Sequence, residues 1–219
     1  GRSKILKFEG GYHGMCSEAQ MSLAPAQLSN FPQAVPDSAS IPESVKSEVL
    51  VAPFNDIAFI ENILAEESSE IAGIIVEPLQ RLIPPIKNFL PTLRKLCTKY
   101  NILLIFDEVV TGYRFSYGGA QEYYGVTPDI CTLGKIIGGG FPLAAIAGKK
   151  EIMDHFDKEK VGSDGFLMQI GTLSGNPIAS VAGLKTLEIL KRPGSYEKLR
   201  QNGQRIMDFA SKKLKDNNV

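Results

Sequence analysis

Cysteine and histidine are scarce in this chain of 219 residues, which has three of the first and two of the second. Cys16, Cys97 and Cys131 are far apart and odd in number, which argues against both a disulfide framework and a zinc pattern, and the two histidines add no ligand spacing. No metal site is expected, and a reducing, cytoplasmic compartment is the simplest reading. Net charge is lacking too. Lys+Arg and Asp+Glu both number 24, so nothing points to nucleic acid or to a membrane surface. No apolar run approaches a membrane span in length, the opening GRSKILKFEGGYHG reads as folded protein rather than as a signal peptide, and no internal repeat is visible. With 43% hydrophobic and 22% charged residues, the composition fits an ordinary soluble globular protein and not a disordered one.

What is present is a strand–helix rhythm. Ile5 to Phe8 reads as a short strand entering the Gly10-Gly11 turn. Residues 17–47 are rich in Ser, Ala, Pro and Gln and show no period, a long excursion of the kind that is usually functional or mobile. Asn55 to Ala65 reads as a helix with Ile57, Phe59, Ile60, Ile63 and Leu64 on its apolar face. Ile71 to Val76 is a buried-type strand. Asn88 is placed to cap a helix carrying Phe89, Leu93, Leu96, Cys97 and Tyr100, with Pro91 in its tolerant first turn. Ile102 to Phe106 is a continuous aliphatic strand, Ile130–Leu133 and Leu143–Ala147 are two more, and helices over 178–191 and 196–214 flank the break Arg192-Pro193-Gly194. Continuous apolar runs separated by helices predict an α/β fold with a mainly parallel sheet covered by helices on both faces.

Two charges are oddly placed in that pattern. Asp107 ends a nearly pure aliphatic strand, and Lys135 sits in TLGKIIGGGFP, flanked by glycine and apolar residues. In open parallel sheets ligands bind outside the carboxyl ends of the strands, where Asp107 and Glu77 fall and which Lys135 follows. Each alone also has a purely structural explanation, as a cap, a satisfied carboxylate or a loop lysine. LLIFDEVV resembles a nucleoside-triphosphatase strand, but the phosphate loop that must accompany it fails at Lys135. The required glycine and hydroxyl positions hold Asp129 and Ile136. IGGGFP does not match the dinucleotide fingerprint either. A lysine able to form an imine near an acid able to form an ion pair suits a pyridoxal phosphate enzyme.

Taken in order, FEGGYHG, IIVEP, LLIFDEVVTGYR, YGGAQEYYGVTPDICTLGKIIGGGFPLAAIAGKKEIM and GTLSGNPIASVAG resemble the class III aminotransferases of fold type I. Within them the resemblance is nearest to the glutamate-1-semialdehyde 2,1-aminomutases. It covers nearly the whole chain and implies pyridoxal 5'-phosphate as cofactor, small amine or amino acid and carbonyl substrates, and a homodimer with its site at the interface. It also implies roles. Lys135 would bind the cofactor covalently and then shuttle the proton, and Asp107 would pair with the ring nitrogen. Val109 and Tyr12 would lie against the two ring faces, with His13 and Gly14 shaping the turn. Thr172 would reach a cofactor phosphate, that of the partner subunit in a dimer. For Glu77 a structural role and a site role stand level.

The match departs at three places. Met15 to Pro42 lacks the small-residue gating segment of the aminomutase, Leu79-Gln80-Arg81-Leu82-Ile83-Pro84-Pro85 replaces a glycine-containing turn, and Val110 stands where many aminotransferases have glutamine but the aminomutase does not. The resemblance further implies a large domain over 1–190 truncated at both ends, without its first phosphate loop. Residues 191–219 would begin the connection to a small domain.

Overall fold

The computed structural model describes residues 1–24 and 30–217. In chain order the elements are β1 (Lys4–Phe8), α1 (Glu43–Glu48), β2 (Val49–Ala52), α2 (Ile57–Glu67), β3 (Ile71–Val76), α3 (Phe89–Lys99), β4 (Leu103–Glu108), α4 (Gly119–Tyr124), β5 (Ile130–Leu133), β6 (Ala145–Gly148), α5 (Lys150–Met153), α6 (Lys158–Gly165), α7 (Pro177–Leu190) and α8 (Ser195–Asp216). A 3-10 turn over Lys135–Gly138 joins β5 to the approach of β6. The six strands form one sheet in the order β2-β1-β3-β4-β5-β6. All neighbours are parallel except β5 and β6, which are antiparallel. The α/β architecture with a mainly parallel sheet is therefore the observed one.

Alternation along the strands decides what lies on each face. Leu6, Phe8, Ile74, Val76, Leu104 and Phe106 share a core with Ile60 and Leu64 of α2 and Phe89 and Leu93 of α3. At β1 and β2 the opposite face is covered by Met21 and Ala34, packed on Val49 and Val51, with Phe31, Ile41 and Val45 beside them. The excursion is thus ordered where it is described. Ser22 N–H donates to Val35 O at 2.7 Å, and the Asp37 carboxylate takes the N–H groups of Leu23 and Ala24 at 2.6 and 3.0 Å. Residues 25–29 of that stretch lie outside the described residues.

The helix starts follow their caps. Asp56 Oδ1 accepts from Phe59 N–H at 3.0 Å, and Asn176 Oδ1 accepts from Ile178 and Ala179 at 3.0 and 3.1 Å. Asn88 precedes α3 as expected, but its side chain makes no capping bond. Its backbone is left-handed (φ 70°), a conformation that asparagine tolerates. The strand expected over Leu143–Ala147 starts later, at Ala145, because Leu143 instead lies against Gly183 of α7, where a Cβ would come within 2.5 Å of its Cδ2. Sequence reading missed β2 and α1 altogether. The apolar run Val49–Ala52 is too short to show a period, and all four residues are buried by the sheet and the excursion.

Two polar groups inside this core carry testable consequences. Lys7 on β1 is 2% exposed, and its ammonium donates to the carbonyls of Met21 and, at 3.1 Å, Ala19. Burial pushes it from its ordinary 10.5 down to about 8. The unfolded chain therefore binds the extra proton between those values, so stability rises with pH across that window. Global unfolding measured from pH 7 to 10.5 should show a gain of roughly 3 kcal/mol, and Lys7→Met should flatten the slope.

Glu108, 1% exposed, accepts from Ala120 N–H at 2.6 Å, Gln121 Nε2 at 2.9 Å and Thr111 Oγ1 at 3.1 Å. Gly119 passes so close that a Cβ would stand 2.4 Å from Glu108 Oε2, and its φ is +69°. Gly119→Ala should therefore cost about 1–3 kcal/mol, read as a lower urea midpoint at unchanged m.

Candidate active site

Because β1, β3, β4 and β5 run parallel, the residues that follow their carboxyl ends gather at one edge of the sheet. Tyr12, His13 and Gly14 come after β1, Glu77, Leu79 and Arg81 after β3, Asp107, Val109, Val110 and Thr111 from the end of β4 onward, and Lys135 after β5. Together with Thr132 they line one cleft of about 390 Å³. The sequence-predicted residues Tyr12, His13, Asp107, Val109 and Lys135 are thus brought together. Thr172 is not among the lining residues and lies in an exposed turn between α6 and α7.

Asp107 forms the buried floor. Its Oδ2 takes His13 Nδ1 at 2.7 Å, and its Oδ1 takes the Val109 N–H and the Thr132 hydroxyl, each at 3.1 Å. Burial pushes this carboxyl up, but the bond and charge of His13, the Val109 amide and the Thr132 hydroxyl outweigh it and hold the group below its ordinary 3.8. A carboxylate has about four lone-pair positions. Three are used here, and the cleft is where a fourth donor fits. His13 Nδ1–H is the donor to this anion, and Nε2 is buried without a partner among the described residues, so Asp107 is the ring's one hydrogen-bond partner there.

Glu77 has a structural task at the cleft wall. Its Oε1 accepts Tyr12 N–H at 2.7 Å and its Oε2 accepts Arg81 N–H at 3.2 Å, so one carboxylate ties the loops after β1 and β3 together. The Tyr12 ring above that anchor is 47% exposed and stands in the cleft. Val109 lines the same cleft, half-buried against Gly134, whose added Cβ would meet Val109 Cγ1 at 3.2 Å.

Lys135 adopts φ +49°, rare for a residue with a side chain. The turn that imposes this is closed by Ile137 N–H to Gly134 O and Gly139 N–H to Ile136 O, at 3.3 and 3.1 Å. It is pressed onto α7 at Gly183, where a Cβ would lie 2.8 Å from Ile137 O. A strained lysine held by packing at the mouth of a cleft is a signature of a functional position.

Thr132 and Arg81 are among the lining residues that escaped sequence reading as site groups. Thr132 is identified by register alone, since its Cα pairs with that of Asp107 across β4 and β5. Arg81 was visible only as part of an unusual turn.

The family model "Aminotransferase class-III" matches residues 1–218. Among solved structures, an omega-transaminase from Sphaerobacter thermophilus is 36% identical with a TM-score of 0.88, over 100% of this chain and 50% of that one. A transaminase with PLP bound is 29% identical, with the same TM-score and coverage. A glutamate-1-semialdehyde aminomutase from Pseudomonas aeruginosa PAO1 is 25% identical with a TM-score of 0.79, over 98% of this chain and 48% of that one. The chain spans about half the length of the solved structures it matches.

Proposed function

The chain belongs to the class-III aminotransferase family, and on that premise we propose that the protein moves an amino group between an amine or amino acid and a carbonyl compound, using pyridoxal 5'-phosphate. The observation that carries this reading is the convergence of Asp107, Tyr12, Val109 and Lys135 on one cleft. The donor set fits the cofactor, because the floor carboxylate is held anionic by three donors and has room for a ring N–H as the fourth. When bound, pyridoxal phosphate supplies an electron sink for the carbon bearing the amino group.

The chain's own groups do the rest. Asp107 would keep the proton on the ring nitrogen. Tyr12 and Val109, which line the same cleft, would confine the ring and exclude water from it. Lys135 would hold the cofactor through Nζ, and once the substrate amine has displaced it, the freed amine would carry the proton to and from the substrate carbon. Thr172, exposed and away from its own cleft, would meet a phosphate in the cleft of a second copy if the protein is the homodimer that the resemblance implies.

Transfer between two molecules is placed ahead of intramolecular transfer on the higher identity to the omega-transaminase than to the aminomutase. The test is direct. Incubation of a form spanning the full length of its relatives with pyridoxal phosphate should give a yellow protein, and borohydride should then fix the label on the peptide carrying Lys135. A colourless protein, or label on another lysine, removes the proposal and leaves a non-catalytic member of the family. Amine donors with carbonyl acceptors should turn over faster than glutamate-1-semialdehyde alone; the reverse order favours the mutase.

A further inference from the structure

The cleft holds two carboxylates and two cations, and three of the four have a stated task. Asp107 has His13, Val109 and Thr132 as donors. Glu77 is taken up by the amides of Tyr12 and Arg81. Lys135 is assigned to the cofactor above. The Arg81 guanidinium is left. It is anchored at one point, with Nε donating to Gly10 O at 3.0 Å, and its Nη groups have no hydrogen-bond or ion-pair partner among the described residues. The residue is exposed, lines the cleft, and has φ +59°.

A guanidinium has five N–H donors in a fixed fork. Fixing Nε against a carbonyl sets the plane of that fork and leaves the two Nη nitrogens to meet a planar anion in a paired fashion. The anchor is also shared with the ring-facing wall. Glu77 binds Arg81 N–H through one oxygen and Tyr12 N–H through the other, so the positions of the fork and the aromatic ring are coupled. No carboxylate within 4 Å neutralises the fork, since Arg81 is in none of the ion pairs of the described residues.

We propose that Arg81 is a specificity residue that binds the carboxylate of the amine substrate, so that the preferred donors are amines bearing a carboxylate rather than simple amines. The assignment rests on the aminotransferase reading for the word substrate, but the anion site itself does not. An exposed cation beside an aromatic wall and a covalent attachment point would hold the far end of a substrate whose amine faces Lys135. The alternative anion is the cofactor phosphate, and the experiment separates the two.

The protein is titrated with propionate, with propionamide as the neutral control and with inorganic phosphate, while the Arg81 Nε–H resonance is followed by NMR. Arg81→Lys identifies that resonance. Propionate should shift it saturably and propionamide should not. Arg81→Gln should weaken propionate binding, followed by ligand-observed NMR, about tenfold or more, the loss expected for a charged hydrogen-bonding partner, and Arg81→Lys should keep part of it. A response to phosphate with none to propionate overturns the proposal in favour of the phosphate. No response to either, or propionate binding that survives Arg81→Gln, reduces Arg81 to a prop for Gly10.

In the cofactor-loaded protein, Arg81→Gln should raise KM about tenfold for an amine with a carboxylate and leave KM unchanged for the same amine without one. Equal effects on both amines overturn the specificity role. Failure of the aminotransferase reading has a different signature, namely no label on Lys135 while the propionate response persists.

Discussion

Lys135→Ala should leave the protein folded and unable to retain pyridoxal phosphate through borohydride treatment. The side chain is exposed at the cleft mouth, so its loss removes no core packing. Alanine meets the same left-handed backbone that lysine does, so the strain of that position is unchanged. Amine transfer should fall by about 10²–10⁴-fold from loss of the proton carrier alone, and more with loss of the attachment. The informative companion is Lys135→Gly. Glycine adopts φ +49° without penalty, so this variant should be more stable than the parent by about 1 kcal/mol while being equally inactive. Mass spectrometry of the reduced protein and parallel urea melts check both halves. Full labelling of either variant would show that another lysine holds the cofactor.

The second large effect is expected at Asp107. Asp107→Asn keeps the size and removes the charge, and its amide confronts His13 Nδ1–H with a donor unless the imidazole changes tautomer. Without the carboxylate, the ring nitrogen of the bound cofactor should lose about 1–3 units of pKa. Transfer should slow by about 10²–10³-fold, the scale for removing one electrostatic contact to developing charge. The absorption of the bound cofactor against pH reads the first quantity, and single-turnover rates read the second. An unshifted titration would mean that Asp107 serves only His13 and the loop after β4.

The pH dependence has a defined sign. The Asp107 pKa is held below its ordinary 3.8, so the stability it contributes is complete above that value and is lost as pH falls through the lower, folded-state value. Activity losses on the acid side above pH 5 should therefore not trace to this group.

Much of this could be read from the residues alone, and particular elements show why. The aliphatic strands at 71–76 and 102–106 declare themselves because their runs are continuously apolar, and a charge at their ends then stands out. That is how Asp107 and Lys135 were visible before any fold was known. The caps at Asp56 and Asn176 are local chemistry, yet sequence reading named neither, and Asn88, the cap it did name, makes no capping bond. The short strand Val49–Ala52 was not, because four apolar residues carry no period, and its place at the sheet edge depends on pairing with β1.

Roles were harder to read than positions. Glu77 stood even between structure and site until its two oxygens were seen on the amides of Tyr12 and Arg81. His13 read as a turn former and is also the closest partner of Asp107. Lys7 gave no sign of being a buried ammonium under the excursion. Apart from the Glu77–Arg81 contact, the deciding contacts join residues 12 to 94 positions apart, which no local pattern encodes.

The sequence by itself determined the α/β class, the residues at the strand ends and the family. Hydrophobic period, cap chemistry and motif order are properties of neighbouring residues. Only the tertiary structure decided that the ends of β1, β3, β4 and β5 meet in one cleft, that Asp107 is already held by three donors, and that Arg81 is the cation left over. Those facts depend on which strands pair and in what register, and pairing between distant segments is set by packing of the whole sheet.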